Sequence, residues 1–303
     1  MNAYQQITEK IISKLESGEI PWHKPWAAVL NQAVRHSDGS PYSVFNQMLL
    51  DCVPGEYITF AQAKAEGGHI KKGAKSTTIY LWKHYAKKAK DEKETEKKAT
   101  KEADIVTETL RDPEKKDEGY WFLKTYQVFN INDAEDVKRK WDEPAPKTAA
   151  TEDRTAEVFV SDYMDCQPDL SLKTGSDALY SEEDDTVIIP DIVRFHSKEQ
   201  YYKTLFHQLA HSTGADGRLS RKADAVAYRR DCTSREDLLA EICSAMVCSF
   251  AGLDVTKTVE DTAAYIDKWI PALRKDPQMI VWASQKAEQA ARYIMNDMPE
   301  DAA

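Results

Sequence analysis

No stretch of this 303-residue chain holds the roughly 20 consecutive apolar residues that a membrane-crossing helix requires, so a membrane partner is not expected. Its opening, Met1-Asn2-Ala3-Tyr4-Gln5-Gln6, lacks the basic, apolar and small-residue succession of a secretory leader. The five cysteines, Cys52, Cys166, Cys232, Cys243 and Cys248, include no C-x-x-C pair, which argues against a disulfide framework and against a thiolate zinc site. A reducing cytoplasmic setting is expected. Internal repeats are also missing.

An overall excess of positive charge is lacking too, because 51 Asp+Glu face 41 Lys+Arg for a formal net charge of -10. The imbalance is uneven. Residues 1–141 carry 23 basic against 21 acidic side chains, and the remainder 18 against 30. Any nucleic-acid surface therefore belongs in the first half, as a local patch. What the chain does have is a 42% hydrophobic content, enough to build sizeable cores.

Ile7, Ile11, Ile12 and Leu15 share one helical face before Gly18, and Pro21-Trp22-His23-Lys24-Pro25-Trp26 then forces an extended, aromatic and partly basic loop. Helices are expected over Tyr42 to Leu50 and Ala61 to Glu66. Thr77 to Trp82 reads as a strand whose partner is Tyr120 to Phe129. Between them, residues 86–119 are dominated by Lys, Glu and Asp and read as a mobile insertion. Residues 142–152 have linker composition, dividing the chain into domains at 1–141 and 153–303. Beyond the linker, Thr186 to Pro190 is a short buried strand. The capping-box pattern Ser197-Lys198-Glu199-Gln200 starts a helix through His211 that Gly214 closes. Further helices are expected from Thr233 to about Phe250, from Val259 to Arg274 and from Pro277 to Asn296.

The chemistry concentrates in His207-Gln208-Leu209-Ala210-His211. Two imidazoles one helical turn apart can reach a single tetrahedral zinc ion, and a third protein ligand must come from elsewhere. Glu241 on the following helix is the candidate, with a fourth position for water. Asp237, one turn before it, shares its face and is an alternative ligand or orienter, and Glu236 is adjacent. In an H-E-x-x-H motif the glutamate takes a proton from metal-bound water. Gln208 has nearly the same shape and cannot do so. Metal binding is expected to survive the replacement, while loss of a general base removes on the order of 10²–10⁴-fold in rate.

Tyr201 to Gly214, with Arg218-Leu219 and Leu238-Leu239-Ala240-Glu241-Ile242, resembles the antirestriction proteins of the ArdC type, which end in a zincin-like metallopeptidase domain laid out like Spartan-type proteases. The first half resembles the single-stranded-DNA-binding domain of the same family. The matching pieces are Ile7 through Trp26, Tyr42 with Asn46, Thr59 to Ala63, Gly68 through Lys75, and Val128-Phe129-Asn130. Family members usually have glutamate where this chain has Gln208, and Tyr228 is the nearest tyrosine for a transition-state role.

The resemblance implies an α+β protein with a mixed α/β DNA-binding domain and a mainly helical zincin-like domain with a small sheet. Bases would stack on Trp22 and Trp26 beside Lys24, and Lys71, Lys72 and Lys75 around Gly73 would contact phosphate. Tyr80 and Trp82 are candidates for the same surface. One zinc ion is implied as cofactor, with single-stranded DNA and a protein near DNA as partners. Two functions compete: a DNA-tethered peptidase that is inactive in this chain, and a pseudo-peptidase that shields mobile DNA with structural zinc.

Overall fold

The computed structural model describes residues 3–23, 33–86, 119–142, 155–221, 232–258 and 262–297. The charged insertion between 87 and 118, most of the expected linker, Lys24, Trp26 and Tyr228 lie outside the described residues, as does the Trp82 side chain.

The first helix, α1 (Ala3–Glu16), buries Ile7, Thr8, Ile11, Ile12 and Leu15, the stripe its apolar spacing requires. Gly18, at φ +83°, then supplies the left-handed turn that ends it. The strand pair read from the sequence is longer than expected. Strand β4 (Thr77–Ala86) runs antiparallel to β5 (Gly119–Asn130) from Thr77 opposite Val128 to Ala86 opposite Gly119. Two strands that the sequence reading missed, β1 (Ala33–Arg35) and β2 (Gly55–Thr59), complete a sheet of order β1-β2-β5-β4, in which only β1 and β2 are parallel. Two-residue β3 (His69–Ile70) pairs with β6 (Ala134–Glu135).

Strand β4 lies at the edge of the sheet, and the short helix α2 (Val44–Leu49), capped by Ser43, closes it. The Asn46 side chain donates to the Tyr80 carbonyl at 2.7 Å and accepts the Tyr80 N–H at 2.9 Å, standing in for a neighbouring strand. Helix α3 (Phe60–Ala65) starts with a full capping box, in which Thr59 and Gln62 each satisfy the other's backbone N–H. Near residue 141 the chain is held to this half, since the Lys140 and Trp141 N–H groups donate to Glu56 at 3.0 and 3.1 Å.

The second half opens with a helix not anticipated from the sequence, α4 (Ala156–Asp165). A three-stranded sheet of β7 (Ser171–Thr174), β9 (Thr186–Ile189) and β8 (Leu179–Ser181) follows, with β9 central and buried as its apolar run requires. Ser197 caps α5 (Lys198–Ser212) through the Gln200 N–H, and the Gln200 side chain returns to the His196 N–H. The remaining helices are α6 (Cys232–Phe250), α7 (Thr262–Lys275) and α8 (Met279–Ile294). None of the described helices is long and apolar enough to cross a membrane.

Helix α6 packs along both α5 and α8, and its inward residues from Leu238 to Cys248 are almost wholly excluded from solvent. The same buried cluster takes in Ile7, Ile11, Leu15 and Trp22 from α1 and its turn, and Val44, Phe45, Met48 and Leu49 from α2. The two halves of the sequence thus share one hydrophobic core. A smaller core beneath the four-stranded sheet, built on Tyr42, Tyr57, Ile79, Leu81 and Val128, belongs to the first half alone.

Candidate metal centre

Helix α5 brings the His207 and His211 rings to 4.9 Å between centroids. The facing helix α6 carries three carboxylates along the same seam, at 236, 237 and 241. Ligand atoms of His207, His211 and Asp237 lie within 4.8 Å of one another, and all three side chains are partly open to solvent. Two imidazoles and a carboxylate at this separation form a nitrogen and oxygen donor set suited to a divalent transition metal. The sequence reading put Glu241 in the third position, with Asp237 as the alternative; the geometry groups Asp237 with the histidines.

The two glutamates stand behind the histidines. Glu241 Oε1 is 3.5 Å from Nδ1 of His207, and Glu236 Oε1 is 3.8 Å from Nδ1 of His211. Each imidazole therefore has a carboxylate facing its Nδ1 from just beyond hydrogen-bond distance, the side on which the partners of metal-bound histidines stand. Burial holds the His207 pKa down at about 4, so its ring is the neutral form that ligates at neutral pH.

Both glutamates have further partners. Burial pushes the Glu241 carboxyl up, but Lys203 at 3.3 Å, His207 and the Tyr265 hydroxyl at 2.9 Å outweigh it and keep it below the usual carboxylate value. Burial likewise raises Glu236, and contacts from His211 and the Arg221 guanidinium override it. Arg221, almost fully buried, also donates to the Ala210 carbonyl at 2.8 Å and the Thr213 hydroxyl at 2.6 Å, capping the end of α5. A β-carbon at residue 214 would lie 2.9 Å from the Arg221 Nη2, so a side chain there would push the guanidinium out of place. Gln208 is half-buried on α5 between the two histidines.

The residues read as a DNA surface are divided by the structure. Lys71, Lys72 and Lys75 are exposed, in a turn where Gly73 takes φ +87°, and Lys71 donates to the Asn132 carbonyl at 2.8 Å. Trp22, expected as a stacking platform, is not available for base stacking. It is completely buried, edge-on to Trp269 at 6.3 Å, with its indole N–H on the Tyr265 oxygen at 2.9 Å. The cause is tertiary: α1 and α7 pack together, and Trp22 in the turn after α1 joins the helical core. Tyr80 is also buried, against Phe45. Sequence reasoning missed Lys203, Arg221 and Tyr265 as partners of the site. No local signal marks Tyr265, whose contact with Trp22 spans 243 positions.

A paired-histidine helix braced by a carboxylate-bearing helix and a small sheet defines a zincin-like metallopeptidase fold, and residues 162–286 match the family described as zincin-like metallopeptidase. Residues 1–129 match the N-terminal domain of anti-restriction factor ArdC, and with both matches in order the chain belongs to the ArdC type. The crystal structure of the antirestriction ArdC protein from the R388 plasmid in its metal-free form is similar, with 25% identity, a TM-score of 0.65 and 98% of each chain covered. Its Mn(II)-bound form gives 26%, 0.62 and the same coverage. The chain is also 26% identical to the DNA primase TraC of Escherichia coli, over 96% of this chain and 27% of that protein. It thus spans about a quarter of the length of that curated relative.

Proposed function

We propose that this chain is an antirestriction-type protein that binds single-stranded DNA through its first half and holds one divalent metal ion on His207, His211 and Asp237. Zinc is the expected ion, and the Mn(II)-bound form of the similar ArdC structure makes manganese the second candidate. The observation that carries the reading is the pair of glutamates on the Nδ1 sides of the two histidines, an arrangement that serves to orient metal ligands. A bound divalent ion would polarise a peptide carbonyl and lower the pKa of a water molecule. This chain's own part would be to hold the ligands, and Gln208 has no basic group with which to take up a proton.

The DNA reading rests on the exposed turn of Lys71, Lys72 and Lys75, on the similarity to ArdC, and on Lys24 and Trp26 by resemblance. Phe60, 59% exposed at the start of α3, which packs on β3 immediately before Lys71, adds an aromatic face to the same region. Protection of incoming mobile DNA in a bacterial cytoplasm is the role this combination serves.

Gln208 also favours a second reading, in which the metal is structural and the protein shields DNA without proteolysis. One variant separates the two. Gln208→Glu in the full chain should gain cleavage of a protein substrate in the presence of single-stranded DNA; a variant that binds metal and DNA normally yet cuts nothing sinks the peptidase reading. Loss of bound metal in His207→Ala, measured by elemental analysis, tests the site itself.

A further inference from the structure

We propose that the turn after α1 is a working part of the metal centre, with Trp22 and Tyr265 acting as positioning residues that hold Glu241 behind His207. The proposal rests on the metal reading above and extends it into the first half of the chain.

The argument begins with which atoms can donate. An indole N–H is a donor only. Trp22 Nε1 lies 2.9 Å from the Tyr265 oxygen, so that oxygen must accept there. The single phenolic proton is then free for one acceptor, Glu241 Oε2, at 2.9 Å. The chain of bonds therefore has one direction, from indole to phenol to carboxylate, and ends on an ionised Glu241. The other oxygen of Glu241 faces Nδ1 of His207 at 3.5 Å.

Aromatic rings pack around this chain of bonds. Trp22 meets the Trp269 ring edge-on at 6.3 Å, and Tyr265 meets the same ring edge-on at 6.3 Å. His23 packs its ring against Tyr265 at 5.8 Å. It is 8% exposed, and its Nε2 has no hydrogen-bond partner among the described residues. Burial, with Lys203 adding to it, holds its pKa down at about 4, so His23 adds no positive charge that would compete for Glu241. Lys203, 3.3 Å from Glu241, supplies the counter-charge from α5 itself. Residues from both ends of the sequence are thus committed to one carboxylate that touches a candidate ligand.

The test titrates Mn(II) and Zn(II), separately, into chelator-stripped full chain. Partners of this kind change metal affinity by about 10–100-fold. Trp22→Phe and Tyr265→Phe should each weaken binding by about that factor, and Trp22→Phe should add nothing in the Tyr265→Phe background, because it acts only through the phenol. Leu15→Ala is the control: it should destabilise the same corner of the core, read by thermal unfolding, with metal affinity unchanged. Unaltered affinity in Trp22→Phe, or effects that multiply in the double variant, would overturn the proposal. If His207→Ala retains full metal, the metal reading itself is at fault and not the relay.

Discussion

Glu241 lies 3.5 Å from Nδ1 of His207, while Asp237, one turn earlier on the same helix, falls within 4.8 Å of both histidine ligand atoms. The two carboxylates are therefore expected to differ in kind. Asp237→Ala should remove a donor and reduce metal affinity by more than 100-fold. Glu241→Gln, which keeps shape and loses charge, should cost about 10–100-fold. Calorimetric titration of each variant with Zn(II) checks the order, and the reverse ranking would restore Glu241 as the ligand.

Gln208→Glu should leave metal affinity within about threefold of the parent, because the residue at this position is not a ligand in the motif. Its effect should appear in peptide-bond cleavage, with a gain on the order of 10²–10⁴-fold over the parent rate. Mass spectrometry of a mixed protein substrate with single-stranded DNA present would detect it.

Arg221 bonds the last turn of α5 and also pairs with Glu236, behind His211. Arg221→Met leaves a partly buried carboxylate without its cation, and breaking such a pair from one side costs about 3–5 kcal/mol. Urea unfolding should show a loss of that size. A change below about 1 kcal/mol would mean that the arginine is dispensable to the helix end.

Asn46→Ala should destabilise the first half, because it strands the buried N–H and C=O of Tyr80 at the edge of the sheet. Each unmet group costs about 1–3 kcal/mol. Asn46→Asp keeps an acceptor and loses the donor, so it should fall between the two in thermal unfolding.

Lys71→Ala/Lys72→Ala should weaken binding of an oligothymidine strand and flatten its salt dependence by about 0.7 in log–log slope per lost phosphate contact. Phe60→Ala should weaken it by about 1–3 kcal/mol with the slope unchanged, since stacking carries no counterions. Fluorescence anisotropy at several salt concentrations separates the two effects.

Much of the local structure could be read directly. The stripe of Ile7, Ile11, Ile12 and Leu15, the Ser197 cap, and the pairing of residues 77–82 with 120–129 all appear where the sequence indicates, because a helical face, a cap and an apolar strand are written in adjacent residues. The strands at 33–35, 171–174 and 179–181 were not legible, being three or four residues long and lacking clear alternation.

The sequence by itself determined the two histidines on one helical face and the amide of Gln208 between them, since a spacing of four residues is a property of the helix alone. Tertiary structure decided what surrounds them. It grouped Asp237 with the histidines, placed a glutamate on each Nδ1 side, and buried Trp22 beside Tyr265, where a nucleic-acid role had been expected. The physical reason is that Trp22 and Tyr265 carry no local mark of their roles; the shared core draws both into one place, where the buried indole N–H and the phenol oxygen meet as partners.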